Sequence, residues 1–205
     1  MRSRNKPWAL PFLKDYPFQV YFEPPLNELL FDKPNLTLEI GVGKGDYLVA
    51  IANQNPDKFY LGFEKDKNVA ALALKKILEA GLNNIALVIK DASNLLEWLK
   101  NSQIETIYLN FSDPWPKRRN QKRRLTHESF LKQYQQILAK DGKIVMKTDN
   151  VDLYEYSLNQ FQSYGFVIES SSRDFRRIDF SDPWTEYERK FVELGKPIYQ
   201  VVVRK

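Results

Sequence analysis

Five short apolar runs recur along the chain: "LTLEIG" (36–41), "FYLGFE" (59–64), "IALVIK" (85–90), "TIYLNF" (106–111) and "KIVMKT" (143–148). Each is rich in β-branched or aromatic residues and almost unbroken by polar ones. A strand with one wet face would alternate, so these runs read as strands of a parallel sheet covered on both faces. The segments between them, 46–54, 66–80, 93–100 and 127–139, read as helices. In the second, Val69, Ala73 and Ile77 recur at i, i+4 and i+8, and Gly81 supplies the stop. A helix near 151–164, a strand near 166–171 and a last strand, "IYQVVVR" (198–204), complete the pattern. Strands alternating with helices predict an α/β fold with a doubly wound, mostly parallel sheet. No repeat or linker divides the 205 residues, so one domain over 1–205 is expected, with residues 1–30 as a basic, partly flexible lead-in.

The residues that are missing exclude chemistry. Without Cys there is no thiolate nucleophile and no thiolate zinc site. A single His, His127, cannot build a multi-histidine metal centre and reads as a helix start, and no Ser follows the G-x-S-x-G pattern. No metal is expected. Any reaction must use carboxylates, Lys, Arg, Tyr and backbone groups, or a cofactor. No apolar run approaches the ~18 residues of a membrane span, and "MRSRNKPWALPFLKDYP" has no signal-peptide apolar core. A cytoplasmic protein with no membrane partner is expected.

In parallel α/β sheets, ligands gather beyond the carboxyl ends of the strands. There the sequence sets one acid per strand: Glu39, Glu64, Asp91 and Asp113, followed by Asp149 after the fifth. Carboxylates along one rim call for a cationic or hydroxyl-rich ligand. "LEIGVGKGDYL" (38–48) adds Gly41, Gly43 and Gly45 between the first strand and its helix. A nicotinamide fingerprint would be G-x-G-x-x-G; here the third glycine comes one residue early. Glu39, just before the first glycine, is an awkward neighbour for a pyrophosphate and a good one for an ammonium group. S-adenosylmethionine has no phosphate but carries an ammonium, a sulfonium, a ribose and an adenine. Glu64 is placed to accept from the ribose hydroxyls, and Asp91 with the Ala92 backbone to hold the adenine amine.

The fourth strand runs into "FSDPWPKRRNQKRR" (111–124), with six Lys or Arg in the eight residues 117–124. The formal charge is +5, so the rest of the chain carries −1. Basicity this concentrated fits a surface meeting phosphates, and single bases are commonly held by aromatic stacking. The same "FSDPW" returns at 180–184 without a basic tail and reads as a loop. For Arg173, Arg176 and Arg177, phosphate contact and a plain solvated loop both stay open. An exocyclic-amine nucleic acid N-methyltransferase would carry D-P-P-[YFW], whereas here Trp115 precedes the second proline. A nicotinamide oxidoreductase and a catalytically silent RNA-binding module are the other rivals.

"FSDPWPKRRNQKRRL" resembles the signature of the bacterial tRNA (guanine-N7-)-methyltransferases, the TrmB family. The similarity continues through "NKPWALPFL" (5–13), "LEIGVGKG" (38–45), "TDNVDLYEYSL" (148–158), "TEYERKF" (185–191) and "GKPIYQ" (195–200). The resemblance implies a Rossmann-like class I S-adenosylmethionine-dependent methyltransferase with an antiparallel C-terminal strand. It also implies methylation of the variable-loop guanine of tRNA, guanine-46, at N7. By the family's pattern Glu39, Glu64, Asp91 and Asp113 bind S-adenosylmethionine. Lys117, Asp149, Thr185, Glu186, Tyr187 and Glu188 contact the substrate, and Arg118, Arg119, Asn120, Gln121, Lys122, Arg123 and Arg124 face RNA. No obligate protein partner is implied, and monomer and homodimer stay open. Guanine N7 carries a lone pair and no hydrogen, so its methylation needs no general base. Asp113 is the candidate to stabilise the cationic purine that forms. Asp149 and Glu188 are candidates to accept from the guanine N1–H and N2–H₂ groups, donors that adenine lacks there. An N-terminal arm with Arg2, Arg4 and Lys6 is expected to be mobile until RNA binds.

Overall fold

The computed structural model describes residues 5–24, 35–99 and 104–205, and the chain forms two compact units, Met1–Trp98 and Leu99–Lys205. The first unit holds α1 (Ala9–Lys14), β1 (Val20–Tyr21), β2 (Leu36–Ile40), α2 (Asp46–Gln54), β3 (Phe59–Phe63), α3 (Lys67–Glu79) and β4 (Ile85–Val88). Its strands lie in the order β1-β4-β3-β2, all parallel. Every residue of β2 and β4 is buried, as the unbroken apolar runs predict. The Asp66 carboxylate starts α3 by accepting from the Asn68 N–H at 2.8 Å. Ala70, Ala71, Ala73, Leu74 and Ile77 of α3 then pack into a core with Leu13, Val20, Leu48, Ile85 and Leu87.

The sequence alone puts α1 and β1 inside a basic, partly flexible lead-in. In the structure α1 packs on α3, with Ala9 and Leu13 fully buried. Pro11 hides the helix. The proline falls in the first helical turn, where backbone N–H groups have no intrahelical acceptor, so a residue lacking one is tolerated. Lys6, expected in a mobile arm, donates its backbone N–H to the Asn68 side chain at 2.8 Å. Arg2 and Arg4 lie outside the described residues.

The boundary falls within α4 (Leu96–Leu99). The second unit contains β5 (Ile104–Asn110), α5 (Glu128–Ile137), β6 (Leu138–Thr148), α6 (Val151–Ser163), β7 (Val167–Ser172), α7 (Glu186–Glu193) and β8 (Tyr199–Arg204). Its strand order is β5-β6-β8-β7. β5 and β6 are parallel, and β8 runs antiparallel to both β6 and β7, so the reversed last strand is borne out. His127 does begin α5, accepting from the Ser129 N–H. The helix expected over 127–139 stops at Ile137, because β6 starts at Leu138 and runs through Gly142. A Cβ there would sit 2.8 Å from the Ile104 carbonyl oxygen, where the β5–β6 register shifts.

Candidate active site

In the first unit, parallel register brings the strand ends level. Ile40 pairs with Phe63 and Phe63 with Val88, so Gly41 and Glu64 each lie one residue beyond neighbouring strands, and Asp91 three beyond the next. Glu39 sits inside β2 at 2% exposure, opposite Gly62. Glu64 is fixed by two backbone donors, Gly43 N–H to Oε2 at 3.0 Å and Asp66 N–H to Oε1 at 2.9 Å. Each oxygen keeps a further lone pair, the arrangement that accepting two ribose hydroxyls requires. Burial pushes the Glu64 pKa up, against the two backbone hydrogen bonds that lower it. Asp91 is exposed and caps a 3₁₀ turn over Ala92–Asn94 through the Ser93 N–H, with Lys65 Nζ 3.9 Å away.

The glycines divide between two tasks. Gly41 and Gly43 have φ of 83° and 59°, and a Cβ on either would meet nothing within 4 Å. Their open side is where a ligand can approach the backbone closely. Gly45 also has positive φ, but a Cβ there would lie 2.9 Å from that of Ala73, so its role is the close approach of α2 to α3. Open glycines, a two-handed carboxylate and no phosphate-sized basic cluster in this loop fit S-adenosylmethionine.

In the second unit the loop after β5 is strained. Phe111 and Trp115 have φ of 50° and 41°, in the left-handed region that costs a bulky side chain about 1–3 kcal/mol. Surrounding contacts hold it there: Phe111 N–H donates to the Lys147 carbonyl at 2.9 Å, and Arg124 donates to the carbonyls of Pro114 and Trp115 at 2.9 and 3.3 Å. Asp113 is exposed between these fixed points, and Asp149 is half-buried one residue beyond β6, the strand paired with β5. Lys117 is exposed at the start of a 3₁₀ turn, Arg118–Arg123, in which Arg118, Arg119, Lys122 and Arg123 face solvent while Asn120 and Gln121 are partly covered. Arg124 departs from the expected RNA-facing run. Only 5% of it is exposed, and its guanidinium lies 4.3 Å over the Tyr156 ring.

Glu188 is likewise placed otherwise than expected. It is fully buried (0% exposed) in a network with Arg176, Lys147 and Asp182. Its Oε1 accepts from Arg176 Nε at 2.6 Å, and its Oε2 from Lys147 Nζ at 3.4 Å and from the Thr185 N–H at 3.3 Å. The Thr185 hydroxyl accepts in return from the Glu188 N–H, closing the capping box that starts α7. With both oxygens committed, Glu188 cannot present a carboxylate to a guanine edge without breaking buried ion pairs. Thr185 stays half-buried, and Glu186 and Tyr187 are exposed.

The second "FSDPW" is the other side of this network, not an idle loop. The Asp182 carboxylate meets Lys147 Nζ at 2.6 Å, and Trp184 lies over the Arg176 guanidinium at 4.0 Å. Arg176 also donates to the carbonyls of Asp179, Asp182 and Pro183, so it is no phosphate contact. Arg173 pairs with Glu155, and the exposed Arg177 pairs with Asp174. The sequence does carry the signal, in T-x-x-E, a capping box preceding a helix, which a purely chemical reading of the segment passes over. A shallow depression lined by Asp57, Lys58, Leu82 and Asn84 lies at the amino ends of β3 and β4, the opposite ends of these strands from Glu64 and Asp91. Among the described residues no cluster of three or more acids or histidines could hold a metal ion, and no helix is long and apolar enough to cross a membrane.

A family model described as "Putative methyltransferase" matches residues 33–201. Among solved structures, an antibiotic-related methyltransferase is similar over 87% of this chain and 92% of its own (TM-score 0.65, 19% identity). The 16S rRNA methyltransferase KamB is similar over 86% and 91% (TM-score 0.65, 14% identity). The fold is therefore that of the class I S-adenosylmethionine-dependent methyltransferases, and S-adenosylmethionine is the cofactor. Three curated relatives are each named tRNA (guanine-N(7)-)-methyltransferase. The Bacillus velezensis protein is 41% identical over 99% of this chain and 96% of its own length. Those of Geobacillus kaustophilus and Streptococcus thermophilus are 42% and 41% identical over 98% of this chain and at least 95% of theirs. The chain belongs to the tRNA (guanine-N(7)-)-methyltransferase family.

Proposed function

We propose that this protein transfers a methyl group from S-adenosylmethionine to N7 of a guanine in tRNA, the variable-loop guanine at position 46, in the cytoplasm. The observation that carries the reading is Asp113: an exposed carboxylate on a strained turn beyond a strand's carboxyl end, five residues before the cationic 3₁₀ turn begins at Arg118. Bound S-adenosylmethionine supplies an electrophilic methyl group on a sulfonium. Glu39 takes its ammonium group, Gly41 and Gly43 let it approach the backbone while Gly45 seats α2 against α3, Glu64 holds the ribose, and Asp91 with Ala92 holds the adenine. Guanine N7 would attack that methyl carbon with its own lone pair as the carbon–sulfur bond breaks and S-adenosyl-L-homocysteine leaves, with no proton to remove, which agrees with a chain that keeps its single histidine as a helix cap. Asp113 offsets the positive charge that develops on the purine, and orientation of the two reactants supplies the larger part of the rate. Lys117, Asp149, Thr185, Glu186 and Tyr187 contact the acceptor nucleotide, Asp149 by accepting from the guanine N1–H and N2–H₂. Arg118, Arg119, Asn120, Gln121, Lys122 and Arg123 hold the tRNA backbone.

The test is label transfer in vitro from methyl-labelled S-adenosylmethionine to unmodified tRNA, with nucleoside analysis of the product. Wild-type protein is expected to give 7-methylguanosine on tRNA with guanine in the variable loop and none when adenine replaces it. Asp113→Ala is expected to lose nearly all turnover with its fold intact. Label in N6-methyladenine would assign the amine chemistry instead.

A further inference from the structure

Arg124 closes the basic run, yet it is the one cation of that run withdrawn from solvent. Its Nε donates to the Pro114 carbonyl at 2.9 Å and its Nη2 to the Trp115 carbonyl at 3.3 Å. These two carbonyls follow Asp113 directly, and Trp115 is one of the two non-glycine residues of the loop with positive φ. The planar fork thus spans the two peptide units that flank Trp115. Its other face is closed by the Tyr156 ring, 4.3 Å from the guanidinium carbon. The Arg124 backbone is fixed as well, its N–H donating to the Gln121 carbonyl and its own carbonyl accepting from His127, each at 2.9 Å. Tyr156 belongs to α6, so the loop is referred to a helix that the Asn150 side chain caps at 2.8 Å.

We infer that Arg124 is a positioning residue: it holds the Pro114–Trp115 turn in its strained conformation and so fixes the Asp113 carboxylate against the acceptor, instead of binding a tRNA phosphate. Lysine cannot substitute, because a single ammonium on a flexible stem does not present two donors in a fixed plane or stack on a ring. Arg123, exposed, reaches over the Trp115 ring at 4.8 Å and stays available to RNA. The inference deepens the proposed function and rests on Asp113 being the carboxylate at the acceptor.

The two readings of Arg124 separate in steady-state kinetics measured across a salt series. Arg124→Lys keeps the charge and loses the fork. Positioning predicts a kcat lower by roughly 10- to 100-fold, the scale of an ångström of misplacement, with KM for tRNA and its salt slope unchanged. Arg124→Gln loses the charge as well, and positioning predicts the same fall in kcat with the wild-type slope. A phosphate contact predicts wild-type kcat for the Lys variant and, for the Gln variant, a slope shallower by ~0.7–0.9 log units per log salt; either result overturns the inference. Tyr156→Leu removes the ring that supports the guanidinium and should lower kcat in the same direction. Adding Arg124→Lys to it should cost little more. If the Arg124 variants do not fold, as read by circular dichroism, Tyr156→Leu carries the test, and wild-type kcat overturns the inference. Asp113→Ala is run alongside: wild-type turnover in that variant sinks the functional reading itself. An inactive Asp113→Ala beside a fully active Arg124→Lys sinks this inference alone.

Discussion

Removing the Glu188 charge should unbalance the buried network in a way that arithmetic on its members predicts. Two cations, Lys147 and Arg176, face two carboxylates, Asp182 and Glu188, and three of the four side chains are at most 3% exposed. Glu188→Gln keeps the shape and leaves two buried cations sharing Asp182. Breaking a buried pair from one side costs about 3–5 kcal/mol, because the charge left behind has no water to replace its partner. Glu188→Ala also removes the acceptor for the Thr185 N–H in the capping box, about 1 kcal/mol more. For 205 residues, at roughly 2–4 °C per kcal/mol, Glu188→Gln should lower Tm by about 6–20 °C. Lys147→Met combined with Glu188→Gln leaves one cation with one carboxylate, Arg176 with Asp182. Its cost should fall short of the summed single costs by about 1–3 kcal/mol. Thermal melts measure the Tm shift, and urea denaturation of the four proteins of this cycle measures the single costs and the shortfall. Additive costs, or single variants within about 1 kcal/mol of wild type, would refute the claim that these residues act as one charge-balanced latch.

Three further outcomes are expected. In the proposed function ionised Glu64 accepts from the ribose, and burial raises its pKa, so cofactor affinity should weaken as pH falls at values above the ordinary glutamate 4.5. The same shift acts oppositely on the apo fold, where the buried anion costs stability as pH rises from 4.5 through the raised value; calorimetric titration and melting curves check both signs, and Glu64→Gln should abolish them. Gly45→Ala should destabilise by about 2–4 kcal/mol, since it adds a Cβ 2.9 Å from Ala73 to a residue with φ of 84°, while Gly43→Ala, which meets nothing, should cost less stability and more cofactor affinity; equal melting temperatures would contradict the division of tasks. Neutralising Arg118, Arg119 and Lys122 should flatten the salt dependence of tRNA binding by ~0.7–0.9 log units for each lost phosphate contact, and an unchanged slope would turn that surface away from RNA.

The parallel strands are legible because burial on both faces writes itself as unbroken apolar runs, and β2 and β4 are buried throughout. The places of Glu64 and Asp91 are legible for a related reason: a strand end fixes where its next residues lie, and the two acids come one and three residues beyond β3 and β4. What stays hidden depends on partners remote in sequence. Nothing local distinguishes Arg124 from Arg123, since the Tyr156 ring that covers it lies 32 positions on. Glu188 reads as a substrate carboxylate because its neutralising cations, at 147 and 176, come from a strand and a 3₁₀ turn outside its own motif. A repeated pentapeptide misleads in the same way. The first "FSDPW" turns a strand end outward, and the second turns an acid inward.

The central claim, methyl transfer to a tRNA guanine at N7, is met most directly by nucleoside mass spectrometry of tRNA from cells lacking this protein, set against the same cells with it restored. The account predicts that 7-methylguanosine disappears from tRNA in the deficient strain and returns with the wild-type protein but not with Asp113→Ala. An undiminished 7-methylguanosine content in the deficient strain would contradict it.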